Sequence, residues 1–155
     1  MKKILIILLF PVFISAQEEQ LNEELIKKSI QWTKVASTGR DYKEAKKFLD
    51  NNFYSSTFSS NGSSLRLYDE EYFTTPVNYQ WINFSTYDHF VQVSPNKSSA
   101  VVTLNVDGDY IYKNVKINYA ARVSFFWTKV DKEWKKMHSH WSSRSGAEGI
   151  PINDR

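Results

Sequence analysis

Residues 115–143 read VKINYAARVSFFWTKVDKEWKKMHSHWSS, and this stretch decides the fold. Val115–Val130 alternates apolar and polar residues for much of its length. Asp131-Lys132 supplies a turn, and Glu133–Ser143 alternates again. Two long antiparallel strands joined by a tight turn are the prediction. Period-two alternation puts Trp134, Lys136, His138, His140 and Ser142 on one side of the last strand, with Lys135, Met137, Ser139 and Trp141 on the other. On the preceding strand Arg122, Ser124, Phe126 and Thr128 share a side, against Ala121, Val123, Phe125 and Trp127. A bulge would flip either assignment locally.

Working outward, Tyr87–Val93 reads as a strand closed by Pro95-Asn96. Ala100–Val106 reads as another, ending at a turn at Asp107-Gly108, with Tyr110–Tyr112 a further short one. The N-terminal part is helical. Leu21, Leu25, Ile26, Ser29, Trp32, Thr33 and Ala36 fall on one helical face. Gly39 is placed to end that helix with a left-handed turn. Asp41 then caps a second, antiparallel helix, with Glu44 as its capping-box partner. Between helices and strands lie a turn at Asn61-Gly62 and a short helix around Asp69-Glu70-Glu71, broken before Pro76. Helices first and hairpin-linked strands afterwards predict an α+β fold, with the helices on one face of an antiparallel sheet.

The first 16 residues have the form of a signal peptide: Lys2-Lys3, an apolar run from Ile4 to Ile14, and Ser15-Ala16 before the acidic Gln17-Glu18-Glu19. That run falls short of the roughly 20 residues a membrane span needs. Export to the periplasm or the exterior is expected, with no stable membrane anchor and no cysteine to carry a lipid. The expected organisation is a signal peptide over 1–16, one domain over 17–143 and a flexible tail over 144–155. Without Lys2 and Lys3, the chain's 20 basic residues fall to 18 against 17 acidic ones, a net of +1. Lysine pairs are interspersed with acids, which argues against nucleic acid as a partner. There is no cysteine, so the fold relies on its core. Aromatic residues make up 15%, with five Trp, nine Tyr and ten Phe, which points to a lined cavity or a sticky subunit surface.

Few residues carry candidate chemistry. His138 and His140, at i,i+2 on a strand, could present two imidazoles to one substrate or one metal, with His89 as a third ligand. The plainer alternative is one histidine bonded within the sheet and the other in solvent. Arg122, in an apolar strand, calls for an anion from the fold, a partner subunit or a ligand. Asp107-Gly108-Asp109 reads as a polar turn rather than a calcium loop. No phosphate loop, G-x-S-x-G elbow, H-E-x-x-H helix or thiol is present, so no metal or cofactor is expected.

The last hairpin, from Phe126-Trp127 through Asp131 to Trp134, His138, His140 and Ser142, resembles that of nuclear transport factor 2-like proteins. The likeness is strongest to the SnoaL-like group and to the association (hub) domain of calmodulin-dependent protein kinase II. Thr38-Gly39-Arg40-Asp41-Tyr42 and Phe48-Leu49-Asp50-Asn51-Asn52-Phe53 resemble the family's second-helix start and its entry to the first strand. The resemblance extends from about Leu21 to Ser143. It implies a cone-shaped (cystatin-like) fold, with a curved antiparallel sheet wrapped around N-terminal helices, an apolar pocket, and usually a homodimer through the sheet. Three departures stand out: Asn52 replaces an aspartate common in relatives, Phe126 an arginine or polar residue, and Lys136 an apolar one.

The leading expectation is an exported, pocket-bearing, non-catalytic homodimer that binds a small apolar or carboxylated molecule. Its pocket wall is expected from Trp32, Tyr54, Phe58, Trp81, Tyr119, Arg122, His138 and His140. A second is an isomerase, cyclase or dehydratase with His138 or His140 as general base and Tyr54 or Tyr119 as oxyanion donor. A third is a ligand-free interaction module, with Phe125, Trp127 and Trp141 forming a dimer face.

Overall fold

The computed structural model describes residues 10–59 and 65–144. Most of the expected signal segment, the Asn61-Gly62 turn and nearly all of the C-terminal tail therefore lie outside the described residues. Helix α1 (Phe10–Thr33) runs on into a π-helical turn, Lys34–Gly39. Leu25, Ser29, Trp32, Thr33 and Ala36 are buried along one face, as the helical periodicity predicts. The left-handed residue that ends this segment is Arg40 (φ 48°, ψ 43°), one position beyond Gly39. The wider π turn carries the chain one residue further before it reverses. Arg40 gains partners there, since its guanidinium donates to the carbonyls of Tyr72 and Thr75.

Asp41 caps α2 (Tyr42–Ala45), its side chain accepting from the Glu44 backbone N–H at 3.1 Å. Only half of the expected box forms, because the Glu44 carboxylate turns to Lys47 instead. The expected second helix is thus a single helical turn. Helix α3 (Glu70–Thr74) lies where the acidic run placed it, with Asp69 accepting from the Tyr72 N–H at 2.9 Å.

Six strands form one curved sheet in the order β2-β1-β6-β5-β4-β3. They are β1 (Ser56–Phe58), β2 (Arg66–Leu67), β3 (Tyr79–Val93), β4 (Ser99–Tyr112), β5 (Val115–Val130) and β6 (Glu133–Ser143). All neighbours are antiparallel except β1 and β6, which run parallel. The β5–β6 turn falls at Asp131-Lys132, both with positive φ (49° and 71°), the backbone a two-residue hairpin requires.

Asp107-Gly108 is not a turn. Strand β4 runs straight through it, and the chain reverses instead at Lys113-Asn114, where φ is 49° and 63°. Gly108 serves close approach: a Cβ there would meet the Asn83 carbonyl oxygen at 2.6 Å and the Trp81 ring at 3.1 Å. Ile82 bulges opposite this point, and Asp88-His89 together face one residue of β4 further along. Strand β3 is therefore an edge strand kinked twice.

The inner face of the sheet is the core. Val102, Leu104, Val106, Tyr110, Ala121, Val123, Phe125, Trp127, Trp134 and Trp141 are buried on it. The α1 helix is pinned to it by a bond from the Trp127 indole N–H to the Ser29 hydroxyl at 3.0 Å. Trp32 sits edge-on to Phe48, Tyr68 and Phe73, and closes the space between helix and sheet. Phe125, Trp127 and Trp141 are thus interior residues, and the dimer face expected from them is corrected on that ground.

Candidate functional site

The register of the last hairpin decides which side chains enter the interior. Trp127 pairs with Lys136 and Phe126 with His138, so Met137 is a one-residue bulge. Up to the bulge Trp134 and Lys136 point inward; after it Ser139 and Trp141 do. His138 and His140 consequently lie on the outer face with Arg122, Ser124 and Phe126, so the side shared by Trp134, Lys136 and the two histidines does not survive the bulge.

The expected pocket wall is split accordingly. Trp32, Trp81 and Tyr119 are interior, and the Trp81 ring lies 5.2 Å from that of Tyr119 and donates its N–H to the Ser37 carbonyl at 3.2 Å. Phe58, 42% exposed, has its ring 6.0 Å from the His138 ring on the outer face. Tyr54 is 83% exposed. Arg122 is exposed beside Asn105 and Ser142, so solvent receives its charge and the demand for a buried anion lapses. Tyr119 and the two histidines are on opposite sides of one sheet, which separates the expected base from that oxyanion donor.

His138 Nδ1 shares a 2.8 Å hydrogen bond with the Ser56 hydroxyl. Partial burial, with Lys136 and His140 nearby, holds its imidazole below the usual range. His89 is on β3, three strands away and so about 14 Å off at the usual strand spacing. It pairs with the Thr86 hydroxyl at 3.1 Å. Among the described residues, no group of three His, Asp or Glu side chains could hold a metal ion.

The interior contains what the sequence reading passed over. Lys136 is 0% exposed. Its Nζ stands 4.1 Å from the centre of the Tyr68 ring and 4.9 Å from that of Trp32. Its polar neighbours are the Ser56 carbonyl at 3.3 Å and the Ser55 hydroxyl at 3.4 Å. Among the described residues no carboxylate pairs with it, and burial alone drives its amine well below the ordinary lysine range. The two ring faces would favour an ammonium by about 2 kcal/mol each when desolvated. Withdrawing the charge from water costs several kcal/mol, roughly, even after relaxation. Desolvation wins while nothing anionic is present.

A second polar group faces the same problem. The Trp32 indole N–H is buried and makes no well-formed hydrogen bond, its polar neighbour being the Tyr68 hydroxyl, whose pKa burial holds up and Trp32 draws slightly down. Around it a hydroxyl chain is satisfied: Tyr68 to Ser139 at 3.0 Å, and Ser139 to Thr57 at 3.0 Å. Further along the interior lie Tyr72, Tyr79, Tyr110 and Tyr119. Burial raises Tyr79 to about 12 and lifts Tyr72 and Tyr119 higher still, each phenol adding to its neighbours' reluctance to ionise. The site is therefore an aromatic interior in which the Lys136 amine has no counter-charge and the indole N–H groups of Trp32 and Trp134 are poorly satisfied. Lys136 had two sequence signals, a charge on the same side of the strand as Trp134 and its place where the resembling family carries an apolar residue. A depression bordered by Val35, Thr38, Asp41, Glu44 and Phe84 opens to solvent, and both its carboxylates are already engaged.

No family model matches the chain, and no curated protein matches it. Solved structures do. A nuclear transport factor 2-like superfamily protein from Salmonella enterica superposes with a TM-score of 0.66 at 14% identity, over 89% of this chain and 99% of its own. The association domain of C. elegans CaMKII gives 0.64 at 14%, over 82% and 98%. The S. rosetta CaMKII hub gives 0.56 at 18%, over 81% and 92%. The chain has the nuclear transport factor 2-like fold, as the last hairpin led us to expect.

Proposed function

We propose that this is an exported, non-catalytic binding protein whose interior holds a small, largely aromatic or apolar ligand bearing a carboxylate. The observation that carries the reading is a buried Lys136 amine with no carboxylate beside it, next to the poorly satisfied Trp32 indole N–H, inside an aromatic shell. A carboxylate would supply the missing acceptor and the missing charge together. Export rests on the N-terminal pattern over 1–16, followed by one working domain over 17–143. Among the described residues no helix is long and apolar enough to cross a membrane. Titration with 2-naphthoate, followed by tryptophan fluorescence and calorimetry, tests the reading. Saturable binding that Lys136→Met weakens at least tenfold is expected. Absence of saturable binding would overturn it.

Self-association through the outer face accompanies this function. Phe58, His140, Ser124, Thr103 and Phe90 form one row across the sheet, with Phe90 60% exposed. Phe126 lies in the next row, between His138 and Val101. Structural neighbours named as an association domain and a hub support pairing of such faces. Light scattering should give a dimer that Phe126→Asp converts to a monomer; a monomeric parent protein would remove this part of the reading.

A further inference from the structure

We propose that Lys136 is a nucleophilic amine that captures a small aromatic aldehyde or ketone as an imine, with the Trp32 indole N–H donating to the carbonyl oxygen as the bond forms. This rests on the reading that the interior admits a small ligand, and names the reactive class it takes.

The stoichiometry of hydrogen bonding around Nζ is the first support. It has two acceptors within reach, the Ser56 carbonyl and the Ser55 hydroxyl. A free amine has two N–H groups to donate, and its lone pair is then left over. An ammonium has a third N–H and would meet only ring faces with it. The second support is Trp32. Its N–H has no well-formed acceptor, on the very ring that Nζ borders, with only the hydroxyl of edge-on Tyr68 for a polar neighbour. A carbonyl carbon brought to the amine carries with it the oxygen that this N–H needs. Burial without a carboxylate pushes the amine well below the ordinary lysine range, toward the unprotonated form in which lysine attacks carbonyls.

The step balances without any further reactant. The nitrogen lone pair attacks the carbonyl carbon, and the π pair moves to oxygen. One amine proton passes to that oxygen, with the Ser55 hydroxyl placed to relay it. In the resulting carbinolamine the C–N double bond forms as the hydroxyl leaves with the second amine proton. Amine and carbonyl give imine and water, with no change of oxidation state.

The test uses the folded full chain with 2-naphthaldehyde and sodium cyanoborohydride at pH 6, where surface lysines are ammonium. Intact mass and peptide mapping should find one adduct, on Lys136, at least tenfold above any other lysine. Lys136→Met should abolish it, and Trp32→Phe should slow it several-fold. Excess 2-naphthoate should protect Lys136 in the unaltered protein, a readout that needs no variant to fold. Adducts scattered over surface lysines, with Lys136 not enriched, would overturn the inference. Should 2-naphthoate bind while the aldehyde leaves Lys136 unlabelled, the imine falls and the ligand-binding reading stands; if neither binds, both fall.

Discussion

Trp127 and Lys136 stand opposite each other across the last hairpin, yet the next pair is Phe126 and His138, so one residue of β6 has no partner. Because that residue is skipped in the pairing, the two histidines face outward although Trp134 and Lys136, an even number of residues before them, face inward with Trp141.

Removing Met137 should leave every pairing and every facing intact and only straighten the strand. We expect a folded protein destabilised by about 1–3 kcal/mol in urea titration. Deleting Ser139 instead would draw His138 into the buried position against Tyr68 and Thr57. That deletion should cost more than about 4 kcal/mol, because a hydroxyl satisfying two partners is replaced by an ill-fitting imidazole.

Lys136→Met should be neutral or stabilising by about 1–4 kcal/mol at pH 7 in the ligand-free protein, since a desolvated amine gives way to an apolar chain of similar length. The pH dependence provides the signature. The folded-state pKa lies below the unfolded one, so between the two the unfolded chain binds the extra proton. Stability of the parent protein therefore rises with pH across that window, by at most about 1.4 kcal/mol per unit, and falls as pH drops through the folded value. The Met variant should lose this slope in paired urea titrations carried downward from the unfolded lysine value of about 10.4.

Ser29→Ala should destabilise by about 1–3 kcal/mol, because it leaves the Trp127 N–H buried without its acceptor. Thermal melts of the two proteins check this, and Ser29→Thr, which keeps a hydroxyl, should recover part of the loss.

Alkaline titration at 295 nm should show Tyr79 ionising near 12 and Tyr72 and Tyr119 only beyond it, each held up first by burial. Their folded values exceed the unfolded ones. The stability they contribute is complete below about pH 10 and is lost as pH climbs towards the folded values. Loss of stability in base should accordingly begin above about pH 10.

Much of this fold was legible because strands and helices write their burial into the sequence with different periods. Val115–Val130 and Glu133–Ser143 were found to the residue. The helix cap at Asp41 was equally plain, since a carboxylate there has a backbone N–H group to accept from; the short helix around Asp69 was read, but not its cap. What escaped were features set by contact. Gly108 follows an aspartate as a turn glycine would, yet it is needed because Trp81 and Asn83 press against it. The first half of β3 went unread, Tyr79 to Thr86 being partly exposed on both sides of an edge. Met137 obeys alternation as well as any neighbour does, so nothing in it announces a bulge. The candidate site suffered most from that, since one unpaired residue moves His138 and His140 to the far side of the sheet. Lys136 stood in view as a charge on a tryptophan's side of a strand.

The two kinks in β3 have a consequence for the chain's behaviour when crowded. A straight margin fifteen residues long, carrying Ile82 and Phe90, would be a template on which further copies could add strand by strand into fibrils. With Ile82 and Asp88-His89 breaking its row of free amides and carbonyls, and only two-residue β2 at the opposite margin, propagation has no continuous edge to grow from.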